Sequence, residues 1–365
     1  MTNQLRWGFL SAADIAKKNW QAVAMSGNGR LTAVASRDKQ KAERFIQECS
    51  ASCYVAETPE AIEGYDQLLA SDNVDAVYIP LPTGLRKEWV IKAAQAGKHV
   101  MCEKPCAITA DDLQEMIAAC NDNSVQFMDG VMFMHNKRMD QIRACLDGGD
   151  IGDIRRIATQ FSFCAPEDFL GGNIRVNSDL EPQGCMGDLG WYQIRLTLWV
   201  MKYQMPTHVT GRVLAEHGSA DSANPVPTEF SGELFFDGGV SASMYNAFIN
   251  QHQQWANISG TGGNLHVADY VLPYFGNEQY FDVHNPEFVA EGCVFNMERH
   301  TQRHVTAEFS NNAADAQETS LFRNFADLAL SEKPDNHWPE ISLKTQRVMD
   351  ACLESARNGS QPVQL

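Results

Sequence analysis

Nowhere in the 365 residues does an uninterrupted apolar run approach the roughly 18 that a membrane-spanning helix needs. The opening "MTNQLRWGFLSAAD" has no basic stretch leading into an apolar one, as a secretory leader would. A cytoplasmic protein is therefore expected. Basic residues are scarce: 29 Lys and Arg stand against 46 Asp and Glu, a formal charge of -17. Such a surface repels phosphate backbones and anionic lipid head groups, so no nucleic-acid or membrane partner is expected, although net charge leaves room for one small phosphate in a local pocket. The ten cysteines lack a disulfide framework, and a chain this long does not depend on one, so they read as reduced thiols. Cys49 and Cys53, and Cys102 and Cys106, form C-x3-C pairs, which is not a usual zinc-ribbon spacing; as small apolar residues they need no metal. His300 and His304 in "HTQRH" lack the glutamate of a zinc-protease helix and read as polar surface. No internal repeat and no low-complexity linker is visible.

What is present is an ordinary soluble globule, 44% apolar and 21% charged, too long for a single core. The first third alternates short apolar strands ("RWGFLSA", "LTAVASRD", "VDAVYIPLP", "HVMCE", "VQFMDGVMF") with amphipathic helices. One of these, "RKEWVIKAAQAG", stops at Gly97, and another, "DDLQEMIAACNDN", is capped by Thr109. This strand-helix-strand rhythm predicts a parallel sheet covered on both faces. After Asp129 a helix at "DQIRACLDGG" gives way to longer alternating strands, "DIRRIATQFSF", "THVTGRVLAE", "TEFSGELFFD" and "VSASMYNAF", as in an antiparallel sheet with one wet face. Two amphipathic helices, "SLFRNFADLALSEK" and "LKTQRVMDACLESARNG", close the chain. The expectation is an α/β protein: an N-terminal Rossmann-type domain over residues 1–128 and a C-terminal α+β domain with a large, mostly antiparallel open sheet over 129–365.

In a doubly wound sheet a dinucleotide pyrophosphate sits where the first strand turns into the first helix. The turn "GFLSAADIA" puts Ser11, Ala13 and Ala16 where three glycines usually stand, a weakened fingerprint whose small residues still let backbone approach phosphate. The second strand ends at Ser36 and Arg37, where NAD-selective sites usually present a carboxylate. A hydroxyl and a guanidinium suit a ribose 2'-phosphate, so NADP is preferred over NAD; the alternative for Arg37 is an exposed arginine at a helix start. Pro80 and Leu81 at the third of these strands' end, with Glu103 and Lys104 after the fourth, complete the expected cofactor contacts.

"AGKHVMCEKP", the preceding "PLPTGLRKEWVIKAAQ", the later "GCMGDLGWYQI" and the ending "QRVMDACLESARNGSQPVQL", in this order along nearly the whole chain, resemble the glucose-fructose oxidoreductase / inositol dehydrogenase (Gfo/Idh/MocA) family. The resemblance implies a Rossmann domain followed by an open-sheet domain that often forms the oligomer contact, here a homodimer or homotetramer. It implies a nicotinamide-dependent activity on a carbinol or carbonyl carbon of a sugar, polyol or cyclic diol, and a Lys104–Pro105 bond that is often cis. Lys104, at a strand exit, would stabilise a developing alkoxide. Asp188 and Tyr192, four apart, would share one face of a helix starting at Gly187. Tyrosine at position 192 resembles the dihydrodiol and xylose dehydrogenase branch, which assigns Tyr192 as proton donor or acceptor, Lys104 as its electrostatic partner and Asp188 as the orienting group. Arg175 matches an arginine upstream of the aspartate in that branch, and Trp191 would wall the substrate pocket. Departures are Gln183, Gly184 and Cys185 in place of a glycine run, and Arg86 in place of a histidine; they bear on substrate identity. The competing reading is a cofactor-sensing regulator of the same fold, which would have no need of a proton-transfer trio.

Overall fold

The computed structural model of the chain describes residues 4–218 and 222–365. It divides into two compact units. The first comprises residues 1–135, 179–182 and 311–347, the second residues 136–178, 183–310 and 348–365. Both the segment 179–182 and most of the C-terminal stretch thus group with the first sheet although they follow it in sequence.

The first unit is a six-stranded sheet built from β1 (Leu5–Leu10), β2 (Gly29–Ser36), β3 (Glu60–Glu63), β4 (Ala76–Ile79), β5 (His99–Cys102) and β6 (Phe127–Asp129), with α1 (Asp14–Ser26), α2 (Lys39–Ser52), α3 (Tyr65–Leu69), α4 (Thr83–Gln95) and α5 (Ala110–Asp122) between them. Strand order is β3-β2-β1-β4-β5-β6 and every pairing is parallel. The order reverses between β1 and β4, so a crevice opens at their carboxyl ends, where doubly wound sheets take ligands. Helix limits follow local chemistry: Thr109 Oγ1 accepts from the Asp112 amide at 3.2 Å at the start of α5, and α4 gives way to Gly97 at φ +71°. The segment read as the strand "VQFMDGVMF" pairs only over Phe127–Asp129, then turns into a 3-10 helix at Met132–His135.

The second unit starts with α6 (Lys137–Gly148), β7 (Ile154–Cys164), α7 (Glu167–Gly172), a π-helical turn (Met186–Gly190) and α8 (Trp191–Val200). It continues through β8 (His208–His217), β9 (Val226–Phe235), β10 (Ser241–Ala247), β11 (Ile249–Gly260), β12 (Asn264–Val267) and β13 (Glu278–His284). After a separate hairpin of β14 (Glu287–Glu291) and β15 (Val294–Glu298) comes β16 (Thr301–Ala307). The nine-stranded sheet has the order β16-β13-β12-β11-β7-β10-β9-β8-β17, where β17 is Val363–Gln364, and among the described residues only β7 and β10 pair in parallel. Burial alternates along β9 and β10, the period expected of a sheet with one covered face. Between β16 and β17 lie α9 (Gln317–Ala329) and α10 (His337–Arg357). The apolar stripe of α9 (Leu321, Phe322, Phe325, Ala326, Ala329) belongs to the first unit's core, where Phe322 and Phe325 both lie 5.0 Å from Trp7 of β1.

Candidate functional site

At the exit of β1, Ser11 adopts φ +143°. A non-glycine residue rarely takes this region, so the turn keeps the backbone shape of the missing glycine although the side chain differs. Ala13 follows as the N-cap of α1 and supplies no side-chain cap, which leaves the helix's first N–H groups to another acceptor. The register pairs Leu10 with Ala35, so Ser36 and Arg37 leave β2 beside this turn. Ser36 is buried and Arg37 exposed. The next residue along the chain, Asp38, accepts from the Gln40 amide at 2.9 Å and so caps α2. These features fit a dinucleotide: an uncapped helix start with small residues for the pyrophosphate, and a hydroxyl and guanidinium rather than a free carboxylate for the adenosine ribose.

On the other side of β1, Pro80 and Leu81 leave β4, and Glu103 and Lys104 leave the adjacent β5. The Lys104–Pro105 peptide is cis, as the resemblance implied. Glu103 is pinned: Tyr78 Oη donates to its Oε1 at 2.5 Å, Asn19 Nδ2 donates to Tyr78 Oη at 2.6 Å, and the Lys104 amide lies 3.3 Å from Glu103 Oε2. Burial, and next the Glu103 carboxylate, push the Tyr78 phenol well above its ordinary value, so it stays the donor. The backbone that launches Lys104 is therefore fixed through a buried line reaching back to α1. Sequence reasoning missed Asn19 and Tyr78. Tyr78 read as one more apolar strand residue in "AVYI", and the available signal was that a buried phenol needs a partner.

In the second unit Asp188 lies in the π turn and Tyr192 in the first turn of α8. The expected single α-helix from Gly187 is thus replaced at its start by a wider turn, a distortion frequent where helices carry function. Arg175 Nε donates to Asp188 Oδ2 at 2.9 Å, so two of the sequence candidates meet directly. Tyr192 is buried, its ring edge-on to Phe161 at 5.8 Å. Trp191 is fully buried. The neighbouring Gln193 holds the helix to the sheet: its Nε2 donates to Tyr245 O at 3.0 Å and Thr159 Oγ1 at 3.2 Å, while its Oε1 accepts from Asn246 Nδ2 at 3.0 Å. Gly190 permits the approach, since a Cβ there would stand 3.3 Å from Asn246 Nδ2 of β10, closer than an ordinary contact. A second phenol went unforeseen: Tyr270 is buried, and burial, followed by the proximity of Tyr192, pushes its hydroxyl well above the usual range. Nothing in the spacing of "ADYVLP" signals that neighbour.

Among the described residues, one group of three possible metal ligands is present, the exposed Glu287, Glu298 and His300. His304 lies on β16 and stacks on Phe281 at 4.8 Å. No described helix is long and apolar enough to cross a membrane.

An oxidoreductase family described by its NAD-binding Rossmann fold matches residues 5–131, and the GFO/IDH/MocA C-terminal domain matches residues 139–266. The chain is 28% identical, over 98% of its length and 97% of the relative's, to the dTDP-3,4-didehydro-2,6-dideoxy-alpha-D-glucose 3-reductase of Actinomadura kijaniata. It is 27% identical to a D-xylose 1-dehydrogenase (NADP(+)) of Haloferax volcanii, over 98% of each chain. The solved structure of a 3-ketoreductase from A. kijaniata, in complex with NADP and TDP-benzene, superposes with a TM-score of 0.78 at 26% identity, covering 98% of both chains.

Proposed function

The chain belongs to the Gfo/Idh/MocA oxidoreductase family, and from that premise we propose an NADP-preferring dehydrogenase or reductase. Its substrate would be a sugar, polyol or cyclic diol, changed at one carbinol or carbonyl carbon. Bound nicotinamide supplies or accepts the hydride. In the reductive direction the phenol of Tyr192 gives its proton to the carbonyl oxygen as the C–H bond forms; in the oxidative direction the phenolate takes it back. A phenol ordinarily holds its proton to about pH 10, and an ammonium beside it favours the phenolate, the role we assign to Lys104. Asp188, held by Arg175, orients the lysine or a substrate hydroxyl, and Arg175 contributes to substrate binding.

The observation that carries this reading is the pair of prepared groups: Lys104, whose backbone is fixed by a buried carboxylate, and Tyr192, on a helix latched to its sheet. A cofactor sensor has no need of either preparation. NADP preference is supported by Ser36 and Arg37 at the β2 exit, by the NADP(+) in the name of the xylose dehydrogenase relative and by the NADP bound in the 3-ketoreductase structure. The half-exposed face of the nine-stranded sheet supports a homo-oligomer, to be read by light scattering.

The test is Tyr192→Phe, assayed by nicotinamide absorbance against a panel of aldoses, polyols and diols. Turnover should fall by about a hundredfold to ten-thousandfold, the usual weight of general acid-base catalysis, with NADP binding unchanged. A fully active variant removes Tyr192 from the mechanism.

A further inference from the structure

The helix α4 is preceded by Pro82 at its N-cap, which provides no side-chain cap. Its first turn is closed instead by the segment 179–182, which belongs to the same unit. Glu181 Oε1 accepts from the Thr83 amide at 3.0 Å, its Oε2 accepts from Thr83 Oγ1 at 2.6 Å, and the Gly84 amide donates to Leu180 O at 2.9 Å. Glycine is required at position 84, because any Cβ would collide with the carbonyl oxygen of Asp179. A carboxylate at a helix start meets both the unsatisfied N–H groups and the positive end of the dipole.

Behind this cap lies Arg86, only 5% exposed. Its Nε donates to Leu81 O at 2.6 Å and its Nη1 to Thr83 Oγ1 at 3.1 Å, with a second, short bond from Nη1 to Pro105 O. Nη2 stands 4.0 Å from Glu181 Oε1. One planar fork therefore holds the exit of β4 and the residue immediately after Lys104, and faces the carboxylate of the docked segment. Lysine, a single point donor, cannot span those acceptors, and the histidine usual in the family offers two nitrogens at most.

We propose that Arg86 is a positioning residue for Lys104. Held by its carbonyl, Pro105 fixes the direction in which the lysine leaves β5. Glu181 neutralises the guanidinium and ties the same anchor to the stretch of chain that reaches Asp188 seven residues later. The proposal rests on the assignment of Lys104 to catalysis.

The test compares Arg86→Met, Arg86→Lys and Glu181→Ala with Lys104→Met and Tyr192→Phe. Arg86→Met should lower kcat by about tenfold to a hundredfold, the scale of a small misplacement of a catalytic group, while the Kd for NADP stays near its starting value. Because a displaced ammonium no longer favours the phenolate, the limb of the pH profile that reports the proton-transfer group should move to higher pH. A merely structural arginine would lower Tm and leave that limb where it was. Arg86→Lys, which keeps the charge and loses the fork, should resemble Arg86→Met. Glu181→Ala should shift kcat and the limb in the same direction by less, and it carries the test should the Arg86 variants fail to fold. Unchanged kcat and an unmoved limb in a folded variant, with Lys104→Met inactive, overturn the positioning role alone. An active Lys104→Met overturns the catalytic reading beneath it.

Discussion

The two units bury their polar groups to different ends. In the first, a phenol, a carboxyl group and a guanidinium (Tyr78, Glu103 and Arg86) are buried around one point, the exit of β5. In the second, buried polar side chains tie one element to another: Gln193 and Asn246 latch α8 to its sheet, and Arg138 of α6 bonds Asp269 Oδ1 at 2.6 Å, Asp269 O at 2.9 Å and Tyr280 O at 3.1 Å. A buried polar group is tolerated only with its partners in place. Where it sits therefore tells what must not move: a reactive side chain's backbone in the first unit, a helix carrying one in the second. If that contrast holds, substitutions at the first cluster change rate or binding, whereas substitutions at the side chains that only tie elements together in the second unit change stability.

The hardest way to break the contrast is Arg138→Met. Arg138 is 1% exposed and the Asp269 side chain 9%, so the variant leaves a buried carboxylate without its cation. The expected loss is about 3–5 kcal/mol, read by urea denaturation, with kcat per folded molecule unchanged. A variant of unaltered stability and diminished kcat would place Arg138 in the chemistry and erase the distinction.

The carboxyl end of β2 should behave oppositely. Arg37 is exposed, so Arg37→Ala should leave stability untouched. NADP affinity should fall by about tenfold to a hundredfold, the weight of one charge-assisted hydrogen bond, while NAD affinity stays constant. Equal losses for both cofactors would mean that Arg37 does not read the 2'-phosphate.

Much of this was legible because it is local. Alternating burial along β9 and β10, the cap at Thr109 and the stop at Gly97 each depend on a few adjacent residues, and the sequence reading found them. Glu103, Lys104 and Pro105 drew attention because charge at the mouth of an apolar strand has no packing explanation. What escaped depends on partners far away in the chain. Tyr78 meets Asn19 across 59 positions, Thr83 meets Glu181 across 98, and the α9 stripe finds Trp7 more than three hundred residues upstream. Periodicity shows that such a stripe is apolar, not which core it enters. The wide turn at Met186–Gly190 escaped for a different reason: the residues that form it also suit an ordinary α-helix.

Ser11 shows how a weak motif can hide an intact shape, and it offers the smallest and sharpest test. At φ +143° a serine holds a conformation that costs about 1–3 kcal/mol for a residue with a Cβ. Glycine removes that strain but loses about 0.5–1 kcal/mol through the greater freedom of the unfolded chain. The balance for Ser11→Gly is a gain of about 1 kcal/mol, seen as a higher Tm, with NADP affinity held or improved, since the backbone that would meet the pyrophosphate keeps its course. Should stability rise while NADP affinity drops, the hydroxyl rather than the turn is what the cofactor uses. The first unit would then owe its binding edge to side chains as well as to the backbone.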